Sequence, residues 1–576
     1  MNHFNITHHS SFKKILLFFL ISNCFIIAQS SQLIRSKHGM VVSASELASK
    51  VGTKIMEEGG NAIDAAVATG FALAVTYPFA GNLGGGGYMV IHLSNGKNTA
   101  IDYREKAPLS AYKDMYLVNG EYVPSLSREG ATSVAVPGSV AGLIYALNKY
   151  GTMPLAKVIQ PAIDLAKDGW ILDYRTADSF KSFLDEFKKY PSSVKIFSKN
   201  GKPYETGEIF KQEDLANTLE MIKKYGIDGF YKGKVANLLI KQIKSLGGYI
   251  TQEDLEKYKV IEKPVVEGTY RGYKIISMPP SSSGGIALIE LLNILENYNF
   301  SKDDWGSSIY IHRLVEAMKY TYADRTYLLG DEDFYKVPKK GLISKEYAKS
   351  IFEKIEARKN QAVPSSQISH GNPEKFIESN ETTHYSVYDQ FGNAVSVTTT
   401  INSAYGSKIV VDGAGFLLNN EMDDFSAKPG EYNQFGLLGT EGNSIQPEKR
   451  PLSSMTPTIV LKNDKPFIII GSPGGSRIIT TVLQVILNCI DFGMNIAEAI
   501  SAPRIHHQWM PDEIYYERLS LSKDVKENLK KMGYKFQEAE QKFTILGLAE
   551  GIMIDQENGF IYGASDARGS GAAVGF

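Results

Sequence analysis

The stretch from Thr383 to Thr400 admits few structures. Residues of one parity, Tyr385, Val387, Val395 and Val397, are apolar, and residues of the other, His384, Ser386, Ser396, Thr398 and Thr400, are polar. Strand side chains alternate between the two faces of a sheet, so each parity predicts one face. Asp389-Gln390-Phe391-Gly392-Asn393 between the runs is a turn signal. Pairing Asp389 with Asn393 sets Val387 opposite Val395, Tyr385 opposite Val397, Ser386 opposite Ser396 and Thr382 opposite Thr400. A slip of one residue would mix the faces, so the pattern itself specifies the register. The predicted hairpin ends in hydroxyl residues and Asn402, directly after an unpatterned polar run from Pro364 to Asn380.

Two readings fit this pattern. Thr is favoured in strands, so an ordinary Thr-rich hairpin accounts for it. The other reading is a chain cut before Thr382. A Thr hydroxyl is a weak nucleophile, but a Thr at a new N-terminus carries its own base. That base is the α-amine, with an ordinary pKa of about 7.7–8.0. The hairpin alone does not choose between them.

Residues 1–30 read as a secretory signal peptide. Lys13 and Lys14 supply the charges, Ile15 to Ile27 the apolar run, and Ala28-Gln29-Ser30 the small-residue cleavage pattern. That run is too short to span a bilayer, which needs roughly 20 residues. The expected location is therefore exported, periplasmic or secreted, without a stable membrane span. Removing the segment leaves Cys489 as the only cysteine. The exported protein then has no internal disulfide and depends on a large core. The chain carries 62 basic and 63 acidic residues, a balance that gives no footprint for nucleic acid or an anionic membrane. No linker or internal repeat divides it.

Further along, Ser43-Ala44-Ser45-Glu46 reads as a capping box before a helix through Leu47, Val51 and Ile55. Asn61, with Asp64 three residues on, caps a second helix. The glycine run Gly84 to Gly87 precedes a strand instead of opening a helix, so it is not a dinucleotide fingerprint. Its lack of side chains suits close backbone packing. Ala100 to Glu105 reads as a strand ending in charges, and Pro154 to Lys259 as a solvated helical layer. Gly413 to Leu418 reads as a strand delivering Asn419-Asn420-Glu421-Met422-Asp423-Asp424. Three carboxylates so close together need water, a metal or a cationic ligand. Calcium-loop spacing is absent and no His or Cys lies nearby, so no metal is expected. Phe467 to Ile470 runs into Gly471-Ser472-Pro473-Gly474-Gly475-Ser476-Arg477 and then a helix. Such a turn aims backbone N–H groups at one point, as an oxyanion hole requires. No G-x-S-x-G elbow or H-E-x-x-H motif is present.

Together these stretches resemble the bacterial γ-glutamyltransferases (γ-glutamyl transpeptidases, glutathione hydrolases). The resemblance covers nearly all of the chain after residue 30. Its most specific motifs are Thr382-Thr383-His384-Tyr385-Ser386, Asn419 to Ser426, Arg450-Pro451-Leu452-Ser453-Ser454-Met455 and Gly471-Ser472-Pro473-Gly474-Gly475. It implies an α+β fold, the four-layer αββα sandwich of N-terminal-nucleophile hydrolases. It also implies an inactive precursor that cuts itself between Glu381 and Thr382. The products would be a large subunit, 31–381, and a small catalytic subunit, 382–576, held together as a heterodimer within one structural domain.

By the same resemblance Thr382 is the nucleophile and Thr400 assists it, in agreement with the register above. The amides of Gly474 and Gly475 would stabilise the oxyanion. Arg104, Ser453 and Ser454 would bind the α-carboxylate of the donor's γ-glutamyl group, and Asn402, Glu421 and Asp424 its α-ammonium. Partners would be small molecules: γ-glutamyl donors such as glutathione, with water, amino acids or peptides as acceptors. No cofactor is implied. In the loop Pro429 to Thr440 this chain has Phe435 where some bacterial members place a tyrosine, so a hydrogen bond from a phenol at that position is not available to close the lid. Two alternatives remain. One is a sister amidase acting on glutaryl-type β-lactam side chains, against which Asn402, Glu421 and Asp424 argue because glutaryl has no α-ammonium. The other is an exported binding protein without turnover, against which Thr382 and Thr400 argue.

Overall fold

In the computed structural model, the described residues are 31–371, 383–434, 436–439, 441–539 and 546–576. Thr383–Tyr388 and Ala394–Thr400 form the expected antiparallel hairpin. Its register sets Tyr385 against Val397, Ser386 against Ser396 and Val387 against Val395. The hairpin lies at the centre of a seven-stranded sheet. Its strand order is Ala572–Gly575, Met40–Ser43, Thr383–Tyr388, Ala394–Thr400, Gly86–His92, Asn98–Asp102, Ile261–Lys263. A second seven-stranded sheet runs Ile34–Ser36, Phe560–Ser565, Glu550–Asp555, Lys465–Gly471, Thr458–Lys462, Tyr273–Ser277, Val266–Tyr270. Neighbours in both sheets are antiparallel.

Both faces of the hairpin are buried. Tyr385, Val387, Val395 and Val397 join a core with the helices Ala62–Thr76, Ser139–Tyr150 and Leu155–Asp168. The hydroxyl face meets the other sheet. Ser396 Oγ donates to Ile470 O at 3.2 Å and accepts from Thr458 N at 3.0 Å. Ser386 Oγ donates to Glu550 O at 3.0 Å. Ser386 has one proton, so its contact with His384 Nε2 at 3.0 Å makes Nε2 the protonated ring nitrogen. Nδ1 then accepts from Thr398 Oγ1 at 2.9 Å. Burial drives the His384 pKa down to about 3, keeping the ring neutral. Polar groups closed in between sheets are tolerable because they are hydrogen-bonded to one another. The far side of the second sheet carries the helices Gly284–Leu295, Ser308–Leu328 and Arg477–Ile490 around its own core. The result is an αββα sandwich.

Two local expectations fail. The Ser43 box does not form, because Ser43 belongs to the strand Met40–Ser43 and its hydroxyl bonds Ser45 O and Ser49 Oγ. The helix Glu46–Glu57 starts after Ser45, whose hydroxyl is engaged by Thr76 Oγ1 instead of the helix end. Gly413 to Leu418 is not a strand. Gly413 and Gly415, at φ of 73° and 76°, fold the chain into a turn closed by Val411 N to Phe416 O at 3.0 Å. Only isolated bridges, Val410 to Leu417 and Gly84 to Leu418, remain. The Asn61 capping box forms as expected with Asp64.

Candidate functional site

The site collects at the ends of the central strands. Thr400 closes the strand Ala394–Thr400, and its Oγ1 accepts the Asn402 amide at 2.8 Å. Asn402 takes φ of 69°, a left-handed conformation that asparagine tolerates better than most residues. That turn directs its Nδ2 to Asn420 O at 2.9 Å. The glycine run packs on the same strand end. A Cβ on Gly85 would lie 1.9 Å from Thr400 O, so only glycine fits between the two backbones.

Arg104 follows the strand Asn98–Asp102 and is fully buried. Its Nε donates to Pro451 O at 3.1 Å, Nη1 to Glu421 Oε1, and Nη2 to Asp424 Oδ2 at 2.5 Å. Glu105 Oε2 stands 3.6 Å from Nη1. Three buried carboxylates therefore surround one guanidinium. Burial raises Glu421 and Asp424 well above the carboxylate range, against the pull of Arg104, and raises Glu105 to about 7. Burial also works against the Arg104 charge, but Glu421 and Asp424 outweigh it and hold its pKa above the ordinary value. Glu105 and Glu421 interact with each other. Beyond these mutual and Arg104 contacts, neither Glu105 oxygen, nor Glu421 Oε2, nor Asn402 Oδ1 accepts a well-formed hydrogen bond from another described residue. Buried acceptors are nearly always satisfied, and three carboxylates share the one Arg104 guanidinium, so acceptor atoms are left over for a further donor or cation.

Asp423, the remaining carboxylate of its run, points elsewhere. It accepts from Ser127 Oγ at 2.7 Å, Tyr122 OH at 3.2 Å and Arg128 Nε at 3.2 Å, tying the short 3₁₀ turn Glu421–Asp424 to the helix Pro124–Arg128. The run is thus a buried turn, and water is not what its carboxylates face.

Ser453 and Ser454 are both fully buried. Ser453 Oγ accepts from Met455 N at 3.1 Å, and Ser454 Oγ accepts from Arg325. Gly474 and Gly475 lie in the turn between the strand Lys465–Gly471 and the helix Arg477–Ile490, with φ of 136° and 60°. Among the described residues their amides donate to nothing, while their carbonyls accept Arg477 N and Ile478 N. Glu381, Thr382 and Phe435 lie outside the described residues. Sequence reasoning missed Glu105, whose only signal was its place beside Arg104 at a strand end, and Arg325, which carried none.

A family model described as gamma-glutamyltranspeptidase matches residues 48–576. The chain belongs to that family. It is similar to the glutathione hydrolase proenzyme of Escherichia coli (strain K12), 50% identical over 539 residues, covering 93% of this chain and 91% of the relative. The glutathione hydrolase proenzyme of Bacillus subtilis (strain 168) is 40% identical over 557 residues, with 94% and 92% covered. Among solved structures, cephalosporin acylase from Bacillus halodurans matches with a TM-score of 0.86 at 27% identity, over 96% of this chain and 98% of that one. Helicobacter pylori gamma-glutamyltranspeptidase matches with a TM-score of 0.56 at 52% identity, over 57% of this chain and 94% of that one. In this member of the γ-glutamyltranspeptidase family, the candidate site lies where strands of both sheets end, at Thr400 and after Gly471.

Proposed function

We propose that this chain is a γ-glutamyltransferase and glutathione hydrolase, made as a precursor that cuts itself before Thr382. The observation that carries the reading is the set of buried, donor-less acceptors on Glu105, Glu421 and Asn402 beside Arg104. A γ-glutamyl donor is a zwitterion at its α-carbon. Its carboxylate takes a place at Arg104, Ser453 and Ser454, and its ammonium a place at Asn402, Glu421 and Asp424. The Arg104 ion pairs are exchanged for pairs with the ligand, so net charge in the buried site is conserved. A glutaryl group would leave the acidic side unmatched, which disfavours the amidase alternative.

The register expected from the sequence, Thr382 opposite Thr400, agrees with the observed pairing of Thr383 with Thr399. The Thr382 hydroxyl attacks the γ-carbonyl and its proton passes to the α-amine. The amides of Gly474 and Gly475 hold the oxyanion. The proton goes on to the departing amine, leaving a γ-glutamyl ester on Thr382, and water or an amine then takes the acyl group. Several observations support a two-chain product of one domain. Each sheet interleaves strands from before and after residue 382, so the pieces stay together once cut. The Helicobacter pylori chain is matched over 94% of its length by only 57% of this one, as a chain ending near the cut would be. Among the described residues, no helix is long and apolar enough to cross a membrane. Export through residues 1–30 remains part of the proposal.

The test is release of anilide from γ-glutamyl and glutaryl anilides by purified protein, with and without a dipeptide acceptor. Rapid turnover of the γ-glutamyl compound alone, accelerated by the acceptor, is expected. Equal or faster glutaryl cleavage would replace this reading with the amidase, and no turnover of either would leave a binding protein.

A further inference from the structure

Ser453 and Ser454 share one hydrogen-bonding polarity, imposed on the first by backbone and on the second by a side chain. A serine hydroxyl has a single proton to donate and lone pairs with which to accept. Ser453 Oγ accepts from the Met455 amide, and Ser454 Oγ accepts from Arg325 Nη2. Neither hydroxyl donates to any described residue. Both serines thus keep their protons for one further acceptor. For Ser453 the pinning donor is backbone. For Ser454 it is Arg325, which is 1% exposed on the helix Ser308–Leu328.

Three residues earlier on that helix, Tyr322 donates to Ser476 O, in the turn that carries Gly474 and Gly475. The Arg325 guanidinium sits 5.7 Å from the centre of the Tyr322 ring and interacts with the Asp424 carboxylate. One helix face therefore bonds one of the paired serines and the glycine turn, and its Arg325 charge is felt at the acidic turn. An arginine cannot accept a hydrogen bond, so its contact with Ser454 has only one possible direction.

We propose that Arg325 is a positioning residue for donor recognition: it donates to Ser454 Oγ, turns the hydroxyl proton toward the donor's α-carboxylate, and sets a positive charge behind that contact. The inference rests on the donor-binding reading above. A residue that merely fills the core would affect all donors alike. A residue that acts through the α-carboxylate affects only donors that have one.

The experiment compares γ-glutamyl anilide with 4-aminobutyryl anilide, which keeps the amine and lacks the α-carboxylate. The readout is the ratio of their kcat/KM values. In Arg325→Gln the ratio should fall by about tenfold or more, as expected for losing a charge-assisted contact, mostly through KM for the γ-glutamyl donor. Arg325→Lys should recover part of it, and Ser454→Ala should lower the ratio by itself. In the Ser454→Ala background, Arg325→Gln should add little, because the two act through one hydroxyl. A wild-type ratio in Arg325→Gln, or full additivity of the two changes, overturns the proposal. If Arg325→Gln does not fold, an unchanged ratio in Ser454→Ala overturns it instead. A wild-type enzyme that does not distinguish the two anilides would refute the donor-binding reading itself, a separate outcome.

Discussion

Arg104→Lys keeps the positive charge of the donor site and removes its geometry. The guanidinium reaches Pro451 O, Glu421 and Asp424 with three different nitrogens. A lysine offers one compact ammonium on a different stem and cannot reproduce the fork. Reaching one carboxylate leaves the other buried without its cation. A hydrogen bond to a charged group contributes roughly 1.5–3 kcal/mol. At about 1.4 kcal/mol per factor of ten, KM for a γ-glutamyl donor should rise about 10- to 100-fold. The sign of the pH dependence also follows. Burial already raises Glu421 and Asp424, and Arg104 is what holds them down. Weakening that pairing raises them further, so more of the site is protonated at neutral pH and unable to hold an ammonium. KM of the variant should therefore fall as pH rises from about 6 to 9, more steeply than in the wild type. The assay is initial-rate kinetics with γ-glutamyl anilide across that range, with completed self-cleavage as the folding control. A KM within about twofold of wild type, or no extra pH dependence, would refute the reasoning.

Two further outcomes follow from the same cluster and the strand beside it. Burial raises Glu105 to about 7, so the folded form holds this proton more tightly than the unfolded chain. The stability this brings is fully present below the ordinary value of 4.5 and is lost as pH rises through about 7. Glu105→Gln should flatten the urea-unfolding pH profile over that window by roughly 3 kcal/mol, and an unaltered profile would place the titration elsewhere. Gly85→Ala would force a methyl to 1.9 Å from Thr400 O, so the variant should remain largely uncut on a gel. Cleavage at the wild-type rate would mean that the strand end does not position the reaction.

The hairpin was legible because alternation and turn chemistry are local signals, and the structure keeps their register. The glycine run was legible for the same reason, since a missing side chain implies close approach. Gly413 to Leu418 misled because its apolar residues face the core from a turn, which short runs do not distinguish from a strand. Ser43 misled because its strand ends where the helix begins, and the hydroxyl bonds Ser45 O and Ser49 Oγ instead of capping the helix end. Burial of the Asn419–Asp424 turn depends on Arg104, more than 300 residues away, so no window of sequence reveals it. Arg325 is a harder case, because its contact with Ser454 joins a helix to a distant loop.

The central claim is that Thr382 becomes an N-terminal nucleophile. N-terminal sequencing of the purified protein's smaller chain tests it most directly, with Thr382→Ala run beside it. The account expects Thr-Thr-His-Tyr-Ser from the wild type and a single uncut chain from the variant. A different N-terminus, or normal cleavage of Thr382→Ala, would contradict it.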